Sequence, residues 1–159
     1  IEYHEHALEI SRDIGHRRGQ GNALGALGIA YKDLGQLRNA IEHYEHALEI
    51  AREIGDRRSE GAHLGNLGIA YAVLGEVRRA IEYFEVARDI ARDIGDRRGE
   101  GIWLTDLGVA YKNLGDPARA RDLWQQALRI VEDIEDPTAQ RVRALLAALK
   151  GSDAEVGTE

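Results

Sequence analysis

Apolar residues recur along the chain at helical spacing, and the pattern itself returns every forty residues. In the stretch Ile41 to Ile54 the apolar stripe is Ile41, Tyr44, Ala47, Leu48, Ala51 and Ile54, while Glu42, Glu45, Glu49, Arg52 and Glu53 take the other face. That three-and-four spacing predicts an amphipathic helix, here called helix B. Its aligned copies are Ile1 to Ile14, Ile81 to Ile94 and Arg121 to Ile134. Between the B helices, Leu24-Gly25-Ala26-Leu27-Gly28-Ile29-Ala30-Tyr31 returns as Leu64 to Tyr71 and as Leu104 to Tyr111, marking a second helix, helix A.

Glycine and aspartate punctuate both helices. Gly15, Gly55 and Gly95 suit the left-handed residue that closes a helix, and Asp56 and Asp96 after them are good N-caps. Asp136-Pro137 stands at the same phase in the fourth copy, proline being favoured just inside a helix start. Helix A is therefore predicted to begin near Arg17, Arg57, Arg97 and Pro137, and to run to about Leu34, Leu74 and Leu114 before Gly35, Gly75 and Gly115. Asp116-Pro117 marks the opening of the next helix B, so both connections are about two residues long and consecutive helices must be antiparallel neighbours.

The organisation expected is a repeat array over 1–150: a half repeat at 1–15, repeats at 17–54, 57–94 and 97–134, and a capping helix at 137–150. The cap carries Ala144, Ala147, Ala148 and Gly151 where earlier copies have Leu24, Leu27, Gly28 and Tyr31, and it is predicted to end at Lys150. Residues 151–159 read as a disordered acidic tail. Gly21, Gly25 and Gly28 inside helix A each cost roughly 1 kcal/mol against alanine. Close approach of helix B through Ala40 and Ala47, and through their copies, is the expected compensation.

Leu24-x-x-Leu27-Gly28-x-x-Tyr31 followed by Ala40-x-x-x-Tyr44 and Ala47 resembles the tetratricopeptide repeat. It recurs as Leu64, Leu67, Gly68, Tyr71, Ala80, Phe84, Ala87 and as Leu104, Leu107, Gly108, Tyr111, Ala120, Trp124, Ala127. The period of forty exceeds the family's roughly 34 residues, and Arg52, Arg92 and Glu132 replace its late proline. The lengthened unit is similar to the class found in Pins-like adaptors and in bacterial NB-ARC signalling proteins. The resemblance implies an all-α fold, a right-handed superhelix of antiparallel hairpins, that binds rather than catalyses.

In that family one face of helix A lines a concave groove for a peptide or helix of a partner. Carried over, the groove residues are Asn22, Ile29 and Lys32; Asn66, Ile69 and Val73; and Ile102, Thr105, Asp106, Val109, Lys112 and Asn113. The carboxylate clamp that some members use for chaperone tails is not matched, because Gly25 and Ile29 stand at its lysine and asparagine positions and Asp106 at a basic one. Ile29, Ile69 and Val109 make the implied groove apolar, suited to an amphipathic helix or an extended apolar peptide.

Composition narrows the alternatives. Hydrophobic residues are 43% and charged residues 31% of the chain, enough for a packed helical core. The net charge of −7, with arginines interspersed among acids, lacks the basic footprint of a nucleic-acid binder. There is no cysteine, so thiolate chemistry and disulfides are excluded, and a cytoplasmic setting is the expectation. No run approaches the roughly 18 apolar residues of a bilayer span, and no membrane partner is expected. A start at Ile1 in mid-unit, without methionine, reads as a piece of a longer protein.

Three clusters offer sharper chemistry. His43 and His46 have metal-ligand spacing on helix B but read more simply as a solvated face, so no metal is assigned. Arg17-Arg18, Arg57-Arg58 and Arg97-Arg98 form either an anion ladder or ion pairs with Asp13, Glu53 and Asp93 at the preceding helix ends; the ion pairs are the favoured reading. No phosphate loop, catalytic triad or carboxylate pair can be assembled, so neither enzyme activity nor a cofactor is expected. The function expected is a non-catalytic protein-interaction scaffold. The alternative is self-association through the unpaired first helix, or a sensor module of a larger signalling protein.

Overall fold

In the computed structural model, backbone is described for residues 1–156 and side chains for residues 1–149. Among the described residues there are eight α-helices and no strand: α1 (Glu2–Asp13), α2 (Arg17–Asp33), α3 (Leu37–Glu53), α4 (Arg57–Val73), α5 (Val77–Asp93), α6 (Arg97–Asn113), α7 (Pro117–Asp133) and α8 (Thr138–Val156). The odd-numbered helices are the B helices and the even-numbered ones the A helices. The fold is all-α, as the forty-residue period predicts, and apart from the end of α8 the helix starts and stops fall within about a residue of the predicted joints. None of these helices is long and apolar enough to cross a membrane.

The punctuation works as its chemistry requires. Gly15, Gly35, Gly55, Gly75, Gly95 and Gly115 all have φ between 68° and 83°, the left-handed region that glycine enters without penalty. The Asp56 carboxylate accepts the Ser59 amide at 3.1 Å, Asp96 the Gly99 amide at 3.0 Å and Asp116 the Arg119 amide at 2.9 Å. The first of these bonds is the main reason the Asp56 carboxyl is held below its ordinary range.

One stop breaks the rule. The residue aligned with Gly15, Gly55 and Gly95 is Glu135, which still adopts φ 53°. A side chain there costs roughly 1–2 kcal/mol, so Glu135→Gly is expected to stabilise the protein by about 0.5–1 kcal/mol after glycine's entropic cost is set against the relief. Urea denaturation followed by circular dichroism checks this through the transition midpoint, and an unmoved or lowered midpoint would contradict it. A second difference concerns α8. It continues to Val156 rather than ending at Lys150, because Gly151 weakens a helix without stopping it and no proline follows. The tail expected over 151–159 is thus helical to 156; residues 157–159 lie outside the described residues.

The chain divides into two compact units, Ile1–Tyr83 and Phe84–Glu159. In the first, Leu8 of α1, Leu24 and Leu27 of α2, and Ala47 and Ile50 of α3 form one buried cluster. Tyr44 is fully buried, and a Cβ on Gly28 would lie only 2.4 Å from its ring. In the second, Trp124 of α7 is fully buried and a Cβ on Gly108 would lie 2.3 Å from its Nε1. The alanines expected at the hairpin contact are indeed buried, Ala40, Ala47, Ala120 and Ala127 having no exposed surface. Gly28 and Gly108, however, are answered by an aromatic ring on helix B rather than by alanine.

Candidate functional site

Burying Leu24, Leu27, Leu64 and Leu67, with Gly25, Gly28, Gly65 and Gly68 beside them, turns another face of α2 and α4 outward. In the first unit this leaves Asn22 exposed, Ile29 45% exposed and Val73 65% exposed, with Asn66 and Ile69 half-buried beside them. The Lys32 ammonium lies 3.3 Å from the Asp33 carboxylate and is half-buried. All six residues of α2 and α4 assigned by resemblance to the groove therefore reach the surface, and three of them are branched aliphatics. Isolated exposed apolar residues are ordinary, but these accompany amides able to read a peptide backbone.

In the second unit the assigned residues divide. Lys112 and Asn113 are exposed, and Ile102 and Val109 are half-buried. Thr105 is turned inward: it is 3% exposed, and its hydroxyl donates to the Gly101 carbonyl at 2.8 Å. Its own carbonyl accepts the Trp124 indole N–H at 2.9 Å. Asp106 accepts a hydrogen bond from Arg141 Nη2 of α8 at 3.3 Å. Burial pushes the Asp106 carboxyl pKa up, and the Arg141 charge opposes that shift.

Two residues of these faces were missed by the sequence reading. His63 sits in α4, 8% exposed, with Nδ1 lacking a hydrogen-bond partner, and lies over Gly25 so closely that a Cβ there would be 2.7 Å from its ring. Burial holds the imidazole pKa below its ordinary value, against the pull of Asp56. The available signal was the change at this position from Ala23 to His63 to Trp103. Arg141 occupies the position of Gly21, Gly61 and Gly101, and treating α8 as a plain cap concealed it.

The other candidate clusters resolve into structural roles. His43 stacks on Tyr31 with ring centroids 5.0 Å apart, while His46 is exposed. Among the described residues no group of three or more His, Cys, Asp or Glu is arranged to hold a metal. Among the described residues, five of the six helix-start arginines, all but Arg58, are paired, and of the acids expected at the preceding helix ends only Glu53 takes part, from the following helix end. Arg17 pairs with Glu53 across its hairpin, whereas Arg57 and Arg97 bond Glu60 and Glu100 on their own helices. Arg18 reaches Asp56 at 3.5 Å and Arg98 reaches Asp136 at 3.0 Å, each an N-cap acid one repeat further on.

Comparison with known proteins agrees with this architecture. A search of curated proteins found no match. Among solved structures, the chain is similar to aspartyl phosphate phosphatase F from Bacillus subtilis, with TM-score 0.90 and 18% identity over 97% of this chain and 41% of that one. It is also similar to a Rap protein complexed with competence and sporulation factor (TM-score 0.84, 19% identity, 93% of this chain and 45% of that one). A third is a signal transduction ATPase with numerous domains from Pyrococcus horikoshii that carries a tetratricopeptide repeat sensor (TM-score 0.83, 25% identity, 99% of this chain and 24% of that one). The chain spans less than half of each of these proteins, and about half of other repeat proteins it matches. The tetratricopeptide repeat model matches residues 1–53 and 59–133, most of the chain and all three copies of the Leu-Gly-Tyr pattern. On that match, and on hairpins that pair as the pattern requires, the chain belongs to the tetratricopeptide repeat family.

Proposed function

We propose that this protein is a non-catalytic interaction module whose outward helix A faces take up a peptide or helical segment of a partner protein. The observation that carries the reading is the contrast between two sets of positions. Leu24, Leu27, Gly28 and their copies in the next two repeats recur unchanged and are buried. Ile29, Asn66, Ile69 and Val73 lie on the same helices, reach the surface and differ between copies in residue or exposure. Aliphatic surface beside amide donors and acceptors fits an amphipathic or extended peptide. Proteins of similar fold include a Rap protein complexed with competence and sporulation factor and a signal transduction ATPase with a tetratricopeptide repeat sensor, which supports a role in signalling.

The test is affinity capture from lysate with the wild-type chain, Asn66→Ala and Ile69→Asp as baits, each first shown to keep wild-type helicity and melting temperature. Both substitutions are expected to reduce the recovered partner at least tenfold. Equal recovery by all three baits would overturn the assignment of this face.

A second reading, self-association, rests on α1, where Tyr3 is 80% and Ile14 69% exposed and Ile10 also reaches the surface. Light scattering over a concentration series distinguishes it: mass rising toward a dimer supports self-association, and a constant monomer mass removes it.

A further inference from the structure

The B helices of the second unit carry a feature that the helix A faces do not explain. Between the C-terminal half of α5, the start of α6 and α7 lies an open cleft of about 490 Å³, walled by Arg88, Arg92, Arg97 and Arg129 over a floor of Leu104 and Ile130. Glu100 and Asp133 also line it, so arginines outnumber carboxylates in a chain whose net charge is −7. The counterpart built by α1, α2 and α3 in the first unit, about 520 Å³, has the reverse character, with Glu5, Glu9, Asp13 and Glu42 against a single Arg12.

The internal repeats show where this charge comes from. The position of Arg88 is Leu8, Leu48 and Leu128 in the other copies, and Leu8 and Leu48 are buried core residues. The position of Arg129 is Glu9, Glu49 and Asp89. Two departures from the repeat code, one replacing a leucine and one reversing an acid, thus place positive charge in the same cleft. Placing arginine in an apolar stripe costs packing that leucine would supply, which packing of the hairpin does not explain.

The arginines already display the chemistry they would use. Arg88 donates from Nε at 3.0 Å and from Nη2 at 2.8 Å to the Asp89 carboxylate, and Arg92 Nη2 donates to the same oxygen at 2.8 Å. Arg97 Nη1 donates to Glu100 at 3.0 Å. Arg129 has no ion-pair partner among the described residues. Guanidinium forks match planar carboxylates, and four of them spread over three helices suit an extended row of acids better than one compact anion. We infer that this cleft binds an acidic segment of a partner protein, its aspartates and glutamates engaging Arg129 and exchanging for Asp89 on Arg88 and Arg92. The site is separate from the helix A faces and does not depend on them.

The probe is a fluorescein-labelled hexaglutamate peptide, titrated with the intact chain by fluorescence anisotropy at low salt. Saturable binding is expected, weakening as salt rises. Arg129→Glu, which restores the acid of the other copies, and Arg88→Leu, which restores their leucine, are each expected to weaken it at least fivefold, and the double variant at least twentyfold. Both restore the repeat code, so folding is preserved, and an unchanged melting temperature verifies it. Arg38→Glu, an exposed arginine of the first unit, controls for net charge. Equal affinity for the double variant and the wild type, or equal weakening by Arg38→Glu, would overturn the site. Displacement of the peptide by inorganic phosphate, beyond that caused by chloride at the same ionic strength, would overturn the assignment to acidic peptide.

Discussion

Trp124→Ala is expected to lower the stability of the second unit by about 3–5 kcal/mol, the range for deleting a large aromatic from a closed core. The indole is fully buried, it lies against Gly108 of α6, and its N–H is spent on the Thr105 carbonyl. Trp124→Phe, the residue type that Phe84 supplies one repeat earlier, is expected to lose about 1–2 kcal/mol, from the smaller ring and the missing hydrogen bond. Urea denaturation followed by helical circular dichroism separates the two, and a loss below 1 kcal/mol for the alanine variant would mean that the ring is not the centre of this hairpin.

Gly108→Ala is the second large effect, and its sign opposes intrinsic propensity. In a free helix the change is favourable by about 1 kcal/mol. Here the added Cβ would stand 2.3 Å from Trp124 Nε1 and 2.5 Å from Cδ1, and the buried ring has no room to retreat. Overpacking of this kind typically costs about 1–3 kcal/mol, so the net result after the propensity gain is expected to be destabilising by up to about 2 kcal/mol. In the Trp124→Ala background the same substitution should become neutral or stabilising. The cycle should therefore return a coupling of about 2 kcal/mol. Additive losses would show that glycine and indole do not interlock.

Much of the fold was legible because it is local. The forty-residue period, the six glycine stops and the aspartate caps depend on the backbone conformation of a few consecutive residues, and these can be read in order along the chain. Glu135 shows the limit of that reading, since the register of the repeat holds its backbone left-handed without the residue that favours it. Side-chain partners were less legible, because they depend on which residues meet across a hairpin. Arg18–Asp56 and Arg98–Asp136 join residues a repeat apart, outside the short-range pairs that helical spacing describes. The opposition of aromatic to glycine, His63 over Gly25, and Arg141 on Asp106 were hidden for the same reason.

The candidate face was legible in outline and uneven in detail. The family resemblance assigns Ile29, Ile69 and Val73 to the groove, and they do reach the surface. Thr105 shares their register, yet α7 covers it through Trp124. A position can therefore carry a variable residue and still belong to the core, which the linear pattern does not distinguish.

Site-specific photocrosslinking tests the division between packing positions and recognition positions most directly. A benzoylphenylalanine is placed at position 29 or 69 on the helix A faces, and at position 49 on the outer face of α3 as the comparison, each in a chain of wild-type melting temperature. Irradiation in lysate is expected to yield the same partner adduct from positions 29 and 69 and little from position 49. Adducts from position 49 with none from 29 or 69 would contradict the account.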